Sequence, residues 1–189
     1  MFSRIINKLK FKLILSKIKP EIIGYRDFNG TIISNTGTSN MTHISNKENV
    51  IIGDNVFIGH FNYIDGFKKV IIGQGCQITN YVSIVTHSSH NSLRFKGDEK
   101  AKDKCLISGE IKIGEYTYIG PHSVVMPGTK LGRGCIVSAY SFVNGEFPDF
   151  SILRGQPARV IGSSKDIDVA FFKENPDYQQ YYYNQDIFK

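Results

Sequence analysis

The stretch from Ile107 to Pro148 divides into seven blocks of six: ISGEIK, IGEYTY, IGPHSV, VMPGTK, LGRGCI, VSAYSF and VNGEFP. Each block opens on an aliphatic residue: Ile107, Ile113, Ile119, Val125, Leu131, Val137 and Val143. The same spacing runs earlier through IGDNVF and IGHFNY from Ile52, with Ile64 next, and through IGQGCQ, ITNYVS and IVTHSS from Ile72. The fifth place of a block is often small or β-branched: Val56, Cys76, Val82, Thr117, Ser123, Thr129, Cys135 and Ser141. A period of six matches neither an α-helix nor a simple strand alternation. It is satisfied by a triangular prism in which each block makes a short strand and a corner, and three blocks complete one coil. Lead residues then stack inside, and fifth residues also turn inward where the corner leaves little room. Gly, Asp and Asn between them suit corners that need positive φ or a side-chain bond to the backbone. Coils stacked about 4.8 Å apart hydrogen-bond to one another. The expected fold is mainly β, a parallel β-helix of hexapeptides, and left-handed against the usual crossover rule.

The period slips twice. Two extra residues fall between Ile64 and Ile72, near DGFKK, and 23 positions separate Ile84 from Ile107. The second interval holds THSSHNSLRFKGDEKAKDK, polar and charged, which predicts a loop thrown out of the prism at about 87–106. Long loops on rigid scaffolds tend to carry function. After Val143 the period ends, and KDIDVAFFKENPDYQQYYYNQ predicts one or two short helices broken near Pro176. Their aromatics are expected to cap the end of the prism. The chain thus divides into a basic segment 1–20, a β-helix 21–162 and a helical tail 163–189.

The net charge of +6 is local. Arg4, Lys8, Lys10, Lys12, Lys17 and Lys19 precede the first acid, and the 17 remaining basic residues balance 17 acidic ones. A neutral body with a basic lead does not read as a nucleic-acid groove. In the lead, Phe2, Ile5, Ile6, Leu9 and Leu13 lie at helical spacing, with Arg4, Lys8 and Lys12 on another face. Two readings stay open: a helix packed on its own domain or on a neighbouring subunit, or a helix peripheral on an anionic membrane surface. Lysines interrupt every apolar run, so no signal peptide is read, and no run approaches the ~20 residues of a membrane span. Cys76, Cys105 and Cys135 form no CxxC pair, which fits a reducing, cytoplasmic setting and argues against a thiolate zinc site.

The hexapeptides together with H-x-x-H-x-x-x-R (His87, His90, Arg94) and Gly155-Gln-Pro-Ala-Arg-Val-Ile161 resemble the hexapeptide-repeat acyltransferases. The nearest subgroup is the maltose, galactoside and lipopolysaccharide or capsule O-acetyltransferases, and the resemblance covers roughly Ile44 to Gly162. It implies a homotrimer with active sites between neighbouring prisms, acetyl-CoA as co-substrate and a carbohydrate acceptor. The family's loop histidine falls on His87, which implies a general base. An imidazole, with an unperturbed pKa of about 6.5, suits removal of a proton from a sugar hydroxyl as it attacks a thioester. Backbone N–H groups at prism corners are candidates to hold the resulting oxyanion. His60, Asn62 and Asp65, in GHFNYIDG, are the candidate acceptor ligands, with His90 and Arg94 from the loop. Ala139 and Arg159 match positions that meet the pantetheine arm and the nucleotide phosphates; Gly120, Pro121, Ser138 and Tyr140 are expected to line the same groove. The family's Thr-Lys after the last strand is Asn144-Gly145 here, and a common Trp is Tyr118.

Three alternatives stay open from sequence. A γ-type carbonic anhydrase needs two zinc histidines five residues apart, a spacing absent among histidines 43, 60, 87, 90 and 122. An N-acetyltransferase on a nucleotide-linked amino sugar and a non-catalytic prism are the others.

Overall fold

The computed structural model describes residues 5–7, 9–10, 19–95 and 98–184. Most of the basic lead, including Phe2, Arg4, Lys8, Lys12 and Leu13, lies outside the described residues, and so do residues 185–189. Three parallel stacks of short strands form the walls. Face A contains Phe57–Ile58, Gln77–Ile78, Tyr118–Ile119 and Ile136–Val137. Face B contains His43–Ser45, Tyr63–Asp65, Ser83–Ile84, Val124–Val125 and Phe142–Val143. Face C contains Val50–Ile52, Val70–Ile72, Ile111–Ile113, Lys130–Leu131 and Glu146–Phe147. The chain runs A, B, C and begins again one level up. This is a parallel β-helix.

The predicted interior is the observed one. Ile58, Ile64, Ile78, Ile84, Ile119, Val125, Val137 and Val143 have no solvent exposure. The fifth-place residues Val56, Cys76, Val82, Thr117, Ser123, Thr129, Cys135 and Ser141 are buried beside them. Burying an aliphatic side chain of this size stabilises by about 1.5–3 kcal/mol, so the stacked column dominates the fold's energetics. The polar members do not violate this. Thr117 Oγ1 donates to the Gly132 carbonyl and Ser123 Oγ to that of Ser138, so each hydroxyl is spent on the coil above.

Strand register shows where the irregularities go. Ile119 pairs with Val137, 18 positions on, as three regular hexapeptides require. Ile58 pairs with Ile78, 20 positions on, and Ile78 with Ile119, 41 positions on. Every extra residue is taken up at one edge, between faces B and C. The segments there are 46–49, 66–69 and 85–110 on three successive levels. One expectation is corrected. Ile107 is not a lead residue: it is 43% exposed and pairs antiparallel with Ser88 inside the ejected loop. Its aliphatic character fits the phase only by coincidence, and the wall resumes with Ile111 and Ile113, which stand over Val70 and Ile72.

Both ends of the prism are closed by antiparallel hairpins on face A. Ile22–Arg26 pairs with Ile32–Ser39 at the start, and Ser151–Gly155 pairs with Ala158–Ser163 at the end. The tail helix Ser164–Glu174 and the 3₁₀ turn Pro176–Tyr181 follow. Tyr183 of the tail packs on an edge rather than over the prism's end. Tyr183 stacks on Tyr116, with ring centroids 3.9 Å apart, and Ser164 Oγ donates to the Gly134 carbonyl, both at the edge between faces C and A. The tail follows that edge because Gly134 leaves it bare of side chain.

Candidate active site

Asp65 ends a face B strand, and His87 opens the loop one level above it. His87 Nδ1 lies 2.6 Å from Asp65 Oδ2. The Asp65 side chain is 3% exposed, whereas that of His87 is 37% exposed. Thr86 donates to the same carboxylate oxygen through its N–H at 3.0 Å and its hydroxyl at 2.9 Å. The other oxygen accepts from Phe67 N–H at 3.0 Å and Ser45 Oγ at 3.4 Å. Burial by itself raises the Asp65 carboxyl, but the bonds from His87, Phe67 and Thr86 outweigh it and hold the group below its usual range. An ionised carboxylate only accepts hydrogen bonds, so His87 Nδ1 carries the proton and Nε2 keeps its lone pair. The Phe67 ring packs against the imidazole at 4.5 Å between centroids, tilted by 38°. The arrangement is a fixed imidazole with a half-open outer nitrogen, suited to taking a proton from a bound group.

The predicted acceptor residues separate into two places. Asp65, His87 and His90 share the edge between faces B and C; His90 Nδ1 bonds Ser88 Oγ at 2.8 Å and is exposed. Arg94, also exposed, bonds the His90 carbonyl and Asn91 Oδ1 within its own loop. His60 and Asn62 lie on a different edge, between faces A and B. His60 Nδ1 bonds Ser39 Oγ at 2.7 Å. Asn62 is 3% exposed and its amide is spent inside the corner, donating to the Gly59 carbonyl and accepting from Val82 N–H.

The residues expected at the co-substrate also gather on the A–B edge. Gly120 and Pro121 sit directly below Ser138, Ala139 and Tyr140. A Cβ on Gly120 would lie 2.6 Å from Ala139 N, so glycine is required by the stacking of the coils, whatever else passes there. Arg159 is apart from them on the last hairpin, exposed, with Nη1 on the Ala158 carbonyl. A ladder of rings runs down this edge: Phe61, Tyr81, His122 and Tyr140, all at φ near +60°. His122 lies between Tyr81 and Tyr140 at 4.8 Å from each, nearly parallel to both. Ring stacking stabilises what is otherwise an unfavourable backbone conformation for these residues.

Sequence reasoning missed Phe67 and Thr86. The signal that could have found Phe67 was the two-residue slip at DGFKK, which lengthens the corner directly beneath His87. Among the described residues no group of three His, Cys, Asp or Glu is placed to hold a metal. Among them, too, no helix is long and apolar enough to cross a membrane.

Comparison with known proteins points the same way. Residues 110–145 match the bacterial transferase hexapeptide (six repeats) family. The galactoside O-acetyltransferase of Escherichia coli (strain K12) is 30% identical over 146 residues, covering 75% of this chain and 68% of that protein. A putative lipopolysaccharide biosynthesis O-acetyl transferase, WbbJ, of the same organism is 29% identical over 117 residues, covering 59% of each. The chain spans as little as 35% of another curated relative, a probable acetyltransferase of Mycobacterium tuberculosis. A solved galactoside acetyltransferase in complex with coenzyme A superposes with a TM-score of 0.62 at 25% identity, over 72% of this chain and 66% of that one. By its repeat, its fold and its likeness to the galactoside enzyme, the chain belongs to the hexapeptide-repeat family of bacterial transferases, built as a left-handed parallel β-helix.

Proposed function

We propose that the chain is an acetyl-CoA-dependent O-acetyltransferase acting on a sugar hydroxyl of a bacterial surface glycan or its precursor, with His87 as general base. The observation that carries this reading is the 2.6 Å bond between His87 Nδ1 and the buried Asp65 carboxylate. That bond leaves Nε2 as the acceptor for a substrate proton. As the hydroxyl oxygen attacks the thioester carbonyl, its proton passes to Nε2. Collapse of the tetrahedral intermediate breaks the C–S bond, and Nε2 returns the proton to the departing sulfur. Asp65 stabilises the imidazolium between the two transfers, and no covalent enzyme intermediate is needed. Relatives named as galactoside and lipopolysaccharide O-acetyltransferases support a sugar acceptor.

The expected co-substrate residues and His87 lie on two different edges of one prism, with face B between them. A site needing both is completed by a neighbouring copy, which supports the homotrimer with sites between chains. In that assembly His60 of one chain reaches an acceptor beside His87 of the next. Because acetyl-CoA is made in the cytoplasm, that is where the enzyme works.

The test is acetyl transfer from acetyl-CoA over a panel of sugars, with the product located by NMR. His87→Ala should lower kcat by roughly 10² or more with the fold intact; near-normal turnover removes the mechanism. Product that survives mild alkali is an amide, and would favour an amino-sugar acceptor instead.

A further inference from the structure

The corner beneath His87 is longer than the period requires, and what fills it is Phe67, Lys68 and Lys69. Phe67 is 43% exposed while its ring lies 4.5 Å from the imidazole. Lys68 Nζ is 5.5 Å from the centroid of the same ring. The backbone beneath this lysine is pinned: Lys68 N–H donates to Thr86 Oγ1 at 2.9 Å, and Thr86 is the residue that precedes His87. Lys68 is therefore held one residue contact away from the base.

Among the described residues no carboxylate pairs with its charge. Among the described residues Lys68, Lys69 and Arg94 make no ion pair, although Lys102, Lys130 and Arg133 elsewhere in the fold do. Asp65, the carboxylate nearest in sequence, is buried and committed to His87. Edge segments 46–49 and 66–69 together hold three lysines against one acid, Glu48, which is exposed. An unpaired cation beside a half-exposed ring and a general base is a recognition surface for a ring compound that carries an oxyanion.

Resting on the function proposed above, we infer that the acceptor presented to His87 is an acidic sugar, its carboxylate or phosphate held by Lys68 with the Phe67 ring as apolar floor. Such an anchor would place the sugar ring over Phe67 and turn one of its hydroxyls toward Nε2.

The experiment compares kcat/KM for matched acceptors: glucuronic acid and N-acetylneuraminic acid for carboxylates, glucose 6-phosphate for phosphate, and glucose and N-acetylglucosamine as neutral partners. Acidic acceptors should be preferred at least tenfold, and whichever acidic arm wins identifies the anion. Lys68→Gln should lower the acidic-to-neutral ratio about tenfold, Lys68→Arg should restore it, and Lys104→Gln, at the end of the short helix Glu99–Lys104 within the ejected loop, should leave the ratio where it was. Calorimetric binding of the same sugars to His87→Ala protein gives a readout independent of turnover, with acidic sugars expected to bind tighter. A ratio near one, or a ratio unmoved by Lys68→Gln, overturns the inference and leaves the O-acetyltransferase reading standing. No transfer to any acceptor, with acidic sugars still bound preferentially, overturns that reading and leaves the anion site.

Discussion

Asp65 and His87 are held together from two levels of the prism, the carboxylate wholly inside the wall and the imidazole half outside it. The wall thereby fixes both the tautomer and the direction of a group that works in solvent. Asp65→Asn removes that control. The amide nitrogen replaces one carboxylate oxygen and so opposes either Thr86 N–H and His87 or Phe67 N–H, groups that already donate there; kcat should fall by about 10² and unfolding stability by about 1–3 kcal/mol. Both are read on one preparation, by steady-state transfer and urea denaturation. An unchanged kcat with lowered stability would assign Asp65 to structure alone.

The same carboxyl makes stability depend on acid. Its folded pKa lies below its usual value, so its contribution is fully present above the unfolded pKa, about 3.9, and is lost as pH falls through the folded value. The urea midpoint of the wild type should therefore approach that of Asp65→Asn as pH drops below about 4. Parallel curves over the whole range would remove this account of the site.

The thiols separate by position. Burial pushes Cys76 and Cys135 up to about 11, and both sit inside the column. Cys105 lies in the ejected loop and is partly exposed. Under native conditions a thiol reagent should label Cys105 first, with the other two reacting only on unfolding. Fast labelling of all three would mean the column opens readily.

Gly120→Ala tests whether the A–B edge is as tight as it is drawn. The added Cβ meets the Ala139 backbone, so the coils must part locally, at a cost of about 1–3 kcal/mol. Thermal unfolding reads it, and a change below a few tenths would show slack in the stacking.

The assembly proposed above, with the site built from two edges of neighbouring chains, has a direct consequence for mixed protein. His87→Ala and Ala139→Trp should each lose most of their activity alone. Refolded together they should recover part of the activity, because a pocket can take its histidine edge from one chain and its co-substrate edge from the other. No recovery would place the whole site within a single chain.

The column was legible because each aliphatic lead residue reports the same fact independently, that its side chain faces inward. Thus Ile58 and Ile119 could be placed from spacing alone. Ile107 shows the limit: an aliphatic residue at the right interval carries no mark of whether the backbone has returned to the wall. His87 was legible through the break in period, and Asp65 as a carboxylate in GHFNYIDG able to hold an acceptor or to steady His87, although an Asp before Gly also reads as an ordinary turn residue. Phe67 was not, because an aromatic in a lengthened corner reads as an ordinary exposed side chain until the level above is known. Asn62 was misleading for the converse reason. Its polarity reads as ligand chemistry, but inside a coil that polarity serves the backbone.

Insertions of different length share the B–C edge, and after the longest of them Val124 and Val125 stand over Ser83 and Ile84 as if nothing had intervened. Length at that edge is therefore uncoupled from the wall. Exchanging residues 85–110 for a segment of another size, with its ends kept, should alter which acceptor is used and spare the melting behaviour of the column. Selection can thus rewrite specificity here without renegotiating the core.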